Sequence, residues 1–263
     1  MEEHNNYISY KEIISRIDIN YGDIVVVGSD LLRFMCVCRD NKEQFNPNIF
    51  IDSIIAKIGD KGTLLFPTFN WDFCKGKTFD YRKTLSQVGA INNIALKRND
   101  FKRTRHPIYS FVVWGKDQNY LCHLDNISAW GSDSPFRYLY ENRAFHLSIG
   151  IHYPKTFWFA HYVEEEVEVN YRFHKKFVAR YIDENRVLRN ATYSMYVRDL
   201  NTNIIRTAIK PKLDDILLDN GCYNEYCING IYFGLVDLYG AINIMVDDVR
   251  AGGDLVYPVT NAK

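Results

Sequence analysis

No apolar run in this chain of 263 residues approaches the roughly 20 needed for a membrane-spanning helix. Its first residues, Met1-Glu2-Glu3-His4-Asn5-Asn6, are acidic and polar, unlike a secretory signal, so a cytoplasmic protein with no membrane partner is expected. Excess charge of either sign is also missing, because 32 Lys and Arg balance 32 Asp and Glu. A nucleic-acid binder would show a basic excess or stripe, and that class is set aside. By the same electrostatics an enzyme that captures polycations would lean acidic, which this chain does not. The 6 cysteines lack the C-x2-C spacing of a zinc half-site, Cys36-x-Cys38 and Cys222-x4-Cys227 being the nearest approaches. Free thiols are expected, and no metal. There is no G-x-S-x-G elbow, which argues against a hydrolase built on Ser29 or Ser110. Repeats and low-complexity linkers are absent as well, so residues 1–263 read as one domain.

What is present is the composition of a globular protein, 47% hydrophobic and 24% charged, rich in rings with 19 Tyr, 16 Phe and 4 Trp. Such rings fill cores and also line pockets for sugars. Ser9-x-x-Glu12 is a capping-box pattern that predicts a short helix over residues 10–17. Ile24-Val25-Val26-Val27 is a continuous β-branched run, as in a strand buried on both faces, and Gly28-Ser29-Asp30-Leu31 follows it. Asn46-Pro47 opens a helix with proline at its first position, and residues 62–69 carry the next strand. This alternation predicts an α/β fold with a largely parallel sheet. Strands are also expected over 111–115 and 145–150, and helices over 90–97, over 117–123 and from Pro135. Beyond residue 176 the pattern changes to strands with hairpin-like separations near 183–185 and at Asn229-Gly230, plus helices over 212–218 and 238–246. The expectation is a core over 1–175 and an antiparallel C-terminal sub-region over 176–263.

The chemistry concentrates in the segment from Lys155 through His161 to Glu164. His161 and Glu164 are three residues apart, so on a helix they share a face. The carboxylate can then hold one imidazole nitrogen while the other faces a pocket. An imidazole, with an unperturbed pKa of about 6.5, can take a proton from an amine or hydroxyl near neutral pH when it is oriented this way. Such pairs are also common surface contacts. The setting favours the catalytic reading: an apolar run ends at Gly150, a loop with Pro154 follows, and Thr156 is placed to cap the helix. A histidine there falls at the crevice where α/β proteins hold ligands.

Taken in order, several segments resemble the aminoglycoside 3-N-acetyltransferase family over residues 24–175. They are Ser29-Asp30-Leu31, residues 62–69, Phe79-Asp80 with Ser86-x-x-Gly89, His106-Pro107-x-x-Ser110, Gly131-x-x-Ser134-Pro135 and Thr156 with His161-x-x-Glu164. The resemblance implies a three-layer α/β/α fold with a central mixed sheet. It further implies transfer of an acyl group from acyl-coenzyme A, either acetyl-CoA or a short hydroxyacyl-CoA, to a primary amine on a sugar, without a metal. The family's catalytic residues fall on His161 and Glu164, and its coenzyme contacts on Ser29, Asp30, Leu31, His106 and Ser110. One departure is that Val27-Gly28-Ser29 stands where the family usually has His-Ser-Ser or His-Thr-Ser, and Asp30 replaces the second hydroxyl.

The run Tyr171-Arg172-Phe173-His174-Lys175 is similar to the branch of the family found with surface-polysaccharide genes, the nucleotide-amino-sugar N-acyltransferases. Arg172, His174, Lys175 and Lys176 would attract a diphosphate and repel an aminoglycoside, whereas Glu164, Glu165, Glu166 and Glu168 would favour a cation. Charge parity turns the expectation towards a nucleotide-linked amino sugar, with Tyr171, Arg172, His174 and Lys175 at the acceptor and Trp71 stacked on its base. The alternatives are an aminoglycoside acceptor, as in antibiotic resistance, and a non-catalytic protein that binds coenzyme A or a sugar on the same fold. A homodimer is left open.

Overall fold

The computed structural model describes residues 7–202, 204–206, 209, 212–255 and 259–261. In chain order, β1 (Ile24–Ser29) is followed by α1 (Leu32–Asp40), α2 (Pro47–Ile58), β2 (Thr63–Pro67), β3 (Phe79–Asp80), α3 (Ala90–Leu96), β4 (Lys102–Arg103) and β5 (Phe111–Gly115). Next come α4 (Gln118–His123), α5 (Pro135–Glu141), β6 (Phe145–Ile149), α6 (Phe159–Glu166) and a long pair, β7 (Arg172–Ile182) and β8 (Leu188–Arg198). The chain ends with β9 (Ile204–Arg206), α7 (Lys212–Asp219), β10 (Tyr223–Ile228), β11 (Ile231–Asp237), α8 (Leu238–Arg250) and β12 (Val259–Asn261).

Seven strands form the main sheet in the order β10-β11-β6-β1-β2-β5-β4. At its centre β1 runs parallel to both β2 and β6, with Val26 opposite Leu65 and His146. Outside this triplet β5 runs antiparallel to β2, and β11 antiparallel to β6. The sheet is therefore mixed, and the largely parallel expectation holds only where helices cross over between strands. β10 and β11 need no crossover: Asn229 and Gly230 turn the chain in two residues, with φ of 53° and 69°, the left-handed values such a hairpin requires.

Strand alternation splits the apolar residues between two layers of helix. Val25 and Val27 pack with Phe34 of α1 and with Phe50 and Ile54 of α2. Val26, Leu65, Phe111 and Val113 pack with Phe136 of α5, Phe159 and Val163 of α6 and Met245 of α8. Burial of each of these side chains is worth roughly 1.5–3 kcal/mol relative to exposure. The result is the expected three-layer α/β/α arrangement.

Three details depart from the sequence reading. Residues 10–17 form only a short 3-10 turn, Ile13–Arg16, and the Ser9 hydroxyl donates to Glu43 Oε1 at 2.5 Å while accepting from Lys11 N at 3.2 Å. α1 was not anticipated; Leu32 and Met35 are 73% and 51% exposed, which blurs its apolar periodicity. A boundary at 175/176 would cut β7, which pairs with β8 and β3 in a separate three-stranded sheet, whereas β10 and β11 extend the main one. Among the described residues no helix is long and apolar enough to cross a membrane.

Candidate active site

The parallel strands β1, β2 and β6 all end at one side of the sheet, at Ser29, Pro67 and Ile149. Beyond those carboxyl ends lies a cavity of about 510 Å³, bordered by Gly28, Ser29, Asp30, Leu31, Lys155, Thr156 and Trp158. This is where open α/β sheets place ligands. Close packing forms the floor: a Cβ on Gly28 would lie 2.6 Å from Cβ and Oγ1 of Thr156. Gly150, with φ +70°, lets the chain leave β6 directly over the carbonyl of Asp30, a space no side chain could share. Ser29 Oγ is buried at the cavity with no hydrogen-bond partner. Asp30 Oδ1 accepts from Leu32 N at 3.1 Å, closing the turn that leads into α1, while Leu31 is buried.

From the cavity the chain enters α6 at Trp158, which has no side-chain cap. Thr156, expected to cap the helix, instead turns its hydroxyl to Tyr153 O at 3.2 Å and Ser148 Oγ at 3.3 Å. His161 lies three residues beyond Trp158 and so shares its face of the helix. A chain of ring contacts joins cavity to imidazole: Trp158 to Phe69 at 4.9 Å, Phe69 to Tyr109 at 4.5 Å, Tyr109 to Trp130 at 4.7 Å and Trp130 to His161 at 5.1 Å.

His161 Nδ1 sits 3.0 Å from Glu164 Oε2, and the Glu164 side chain is fully buried while that of His161 is 29% exposed. A carboxylate only accepts, so Nδ1 donates to it and Nε2, across the ring, carries the basic lone pair. Arg172, the first residue of β7, completes the group. Its Nε lies 2.9 Å from the same Glu164 oxygen, and its Nη1 donates to Tyr196 O at 2.7 Å. Its Nη2 is 3.3 Å from His161 Nδ1.

The other expected site residues are dispersed. His106 and Ser110 lie in the core and do not border the cavity. His106 Nδ1 accepts from the amides of Ile108 and Tyr109 at 3.3 and 3.1 Å, and burial pushes its pKa down to about 3. Ser110 Oγ accepts from Arg103 Nε at 2.9 Å and donates to Thr68 O at 3.1 Å. Both positions therefore serve loop and strand geometry, and Tyr171 is buried. Trp71 is half-buried, 6.1 Å from the ring of Tyr109. Along β7 side chains alternate, which places Arg172, His174 and Lys176 on one face and Lys175 on the other. His174 is exposed and rests on Tyr196 at 5.0 Å, whereas Lys175 lies 5.6 Å over Phe177.

Sequence reasoning missed the particular part played by Glu165. It stands four residues after His161, on the same side of α6. Its Oε1 accepts from Ser128 Oγ at 2.6 Å, and its Oε2 is buried with no hydrogen-bond partner. Burial raises its pKa, opposed by the Ser128 bond. The only signal in the sequence was the glutamate run itself, which does not say which carboxylate turns inward.

The fold is that of an α/β protein with a cavity at the ends of three parallel strands, and the buried carboxylate, imidazole and permanent cation stand at the far end of the ring chain from it, His161 not being among the residues that border the cavity. The sequence profile of the aminoglycoside 3-N-acetyltransferase family matches residues 29–222, and the chain belongs to that family. No curated protein matches the sequence. Among solved structures, sisomicin-bound AAC-VIa is 17% identical with a TM-score of 0.75, covering 93% of this chain and 97% of its own. AAC-IIIb in its binary complex with CoASH is 15% identical with a TM-score of 0.75, covering 93% and 96%. The YokD protein from Bacillus subtilis is 17% identical with a TM-score of 0.69, covering 90% and 96%. At such identities the likeness is one of fold. Membership of the family, by contrast, rests on the sequence profile and makes the chain a member of an N-acetyltransferase family.

Proposed function

We propose that this protein acetylates a primary amine of a cationic amino sugar of the aminoglycoside kind, with His161 as base. The observation that carries the acceptor class is Glu165, a half-buried carboxylate on the His161 side of α6 whose Oε2 has no hydrogen-bond partner. A second ammonium of a polyamine would satisfy that oxygen. The basic cluster expected to draw a diphosphate gives less support than its sequence suggested. Arg172 is committed to Glu164, and Lys175 lies on the opposite face of β7. The family match and the sisomicin- and gentamicin-bound relatives support the same acceptor, so the nucleotide-linked sugar becomes the second reading. His174 and Lys176, on the Arg172 side of β7, are what favour that second reading.

In the proposed reaction the acceptor ammonium first gives up one proton to solvent, and His161 Nε2 takes a second from the resulting amine as its nitrogen attacks the thioester carbonyl carbon. The C–N bond forms, the C–S bond breaks, and the imidazolium returns its proton to the departing thiolate. The Ser29 hydroxyl and neighbouring amides at the end of β1 are the donors available for charge developing on the carbonyl oxygen. Ser110, already bonded to Arg103 and Thr68, is set aside for that role.

The test measures thiol release from acetyl-CoA with gentamicin and sisomicin, and with dTDP- and UDP-linked amino sugars. Turnover is expected with the first pair, and His161→Ala should lower kcat/KM about 10²–10⁴-fold. Turnover confined to nucleotide-linked sugars would replace the acceptor. Coenzyme binding without acetylation of any amine would make this a binding protein.

A further inference from the structure

We propose that Arg172 is a positioning residue for the acetyl transfer, supplying the permanent positive charge that lets His161 stay neutral beside a buried carboxylate. The inference rests on His161 being the base. Glu164 has no solvent exposure, and a carboxylate taken out of water is stable only when paired. Two groups that can carry positive charge stand at hydrogen-bond distance from its Oε2, His161 Nδ1 at 3.0 Å and Arg172 Nε at 2.9 Å. If the charge had to come from His161, the imidazole would hold its second proton and could not accept one from an amine. A guanidinium is charged at every working pH, so it fills that need and leaves the imidazole to act as a base.

The geometry fits this division of labour. Arg172 is fixed to β8 by its bond to Tyr196 O, and its side chain is only 7% exposed, too enclosed for a substrate contact. Its Nη2 lies 3.3 Å from His161 Nδ1. A fixed guanidinium charge at that distance opposes a second positive charge on the ring. The imidazole meets Glu164 on its own helix and Arg172 on β7 directly; the titratable groups facing these and the neighbouring Glu165 include Glu168 on the segment after the helix, Tyr196 on β8, His174 on β7 and Asp133 on the loop before α5. Trp130 brings only a ring from the loop before α5. Arg172 is thus the fixed cation of the group, and it ties the β7–β8 hairpin electrically to the catalytic helix.

The experiment follows the His161 ring by NMR titration and kcat/KM for acetyl transfer against pH. The proteins are wild type, Arg172→Gln, Arg172→Lys, Glu164→Gln and the double variant Glu164→Gln/Arg172→Gln. Arg172→Gln should raise the midpoint of the His161 titration, and with it the acidic limb of the rate profile, by about one pH unit or more. Arg172→Lys should hold it near wild type. Glu164→Gln should lower it, and the double variant should return it towards wild type. An Arg172→Gln midpoint within about 0.3 pH unit of wild type overturns the proposal, as does a uniform loss of rate with the limb unmoved. Should Arg172→Gln not fold, Glu164→Gln decides alone, because a midpoint that rises or stays refutes the charge balance. The NMR midpoint needs no turnover, so it separates failure of this inference from failure of the base assignment, which His161→Ala reports.

Discussion

Gly28→Ala tests how the cavity floor is coupled to the catalytic helix. The added methyl would sit 2.6 Å from Cβ and Oγ1 of Thr156 and 3.0 Å from Nε2 of His146. Neither neighbour can swing aside. Thr156 is buried and bonded to Ser148 and Tyr153, and His146 is wedged between Phe157 at 5.5 Å and Trp158 at 6.0 Å. Inserting a methyl into a packed site costs about 1–3 kcal/mol, which for a chain of this size lowers Tm by about 3–10 °C. The strain has one outlet, the turn Tyr153–Thr156 that leads into α6. Moving that turn shifts Trp158 and then His161, and a misplacement of about 1 Å can cost about 10²-fold in rate. Calorimetry and saturation with acetyl-CoA are the assays, and both Tm and the KM for acetyl-CoA should worsen together. A variant that melts with wild type and saturates at the wild-type acetyl-CoA concentration would refute the coupling.

Three further outcomes are expected. Glu165→Gln should raise KM about tenfold for acceptors with several amines while leaving a monoamine sugar and kcat nearly unchanged, one charge-assisted contact being worth about 1.5–3 kcal/mol; equal effects on both acceptors would remove Glu165 from acceptor binding. Arg103→Met should lower stability by about 3 kcal/mol or more in urea melts, because the buried guanidinium serves Ser110 Oγ at 2.9 Å, Thr68 O at 3.0 Å and Thr84 O at 2.6 Å. A loss under about 1 kcal/mol would mean water replaces it. His106 and His146, each pushed by burial down to about 3, bind fewer protons folded than unfolded between there and the unfolded value near 6.5. Stability should be full above about pH 6.5 and decline as pH falls towards 3, by up to about 1.4 kcal/mol per pH unit for each histidine. His146→Gln should flatten part of that slope, and an unchanged slope would deny His146 a share.

Local rules carried some of the chain correctly. The valine run of β1, the Asn46 cap that accepts from Asn48 and Ile49, and the Asn229-Gly230 turn are each governed by backbone preferences within a few residues. The His161–Glu164 contact belongs with them, since helical spacing brings those side chains together whatever surrounds the helix. The same rules failed where a distant partner competed. Ser9 shares its hydroxyl between Glu43 and Lys11 N and heads only a 3-10 turn, and Thr156 turns to β6 instead of capping α6. His106 and Ser110 have the residue types of a binding site, but burial gives His106 Nδ1 to the amides of Ile108 and Tyr109 and Ser110 Oγ to Arg103 and Thr68 O.

The basic run at the start of β7 shows the division most clearly. Residue order alone specified a cluster of positive charge, whereas a strand was expected only beyond residue 176 and β7 in fact begins at Arg172. It was the folding of the β7–β8 hairpin against α6 that sent Arg172 inward to Glu164 and left His174 and Lys175 at the surface. Spacing of a few residues sets which neighbours on one element can meet, because backbone geometry repeats. Which cation meets which buried carboxylate from another element depends on desolvation, and that exists only once the layers have packed.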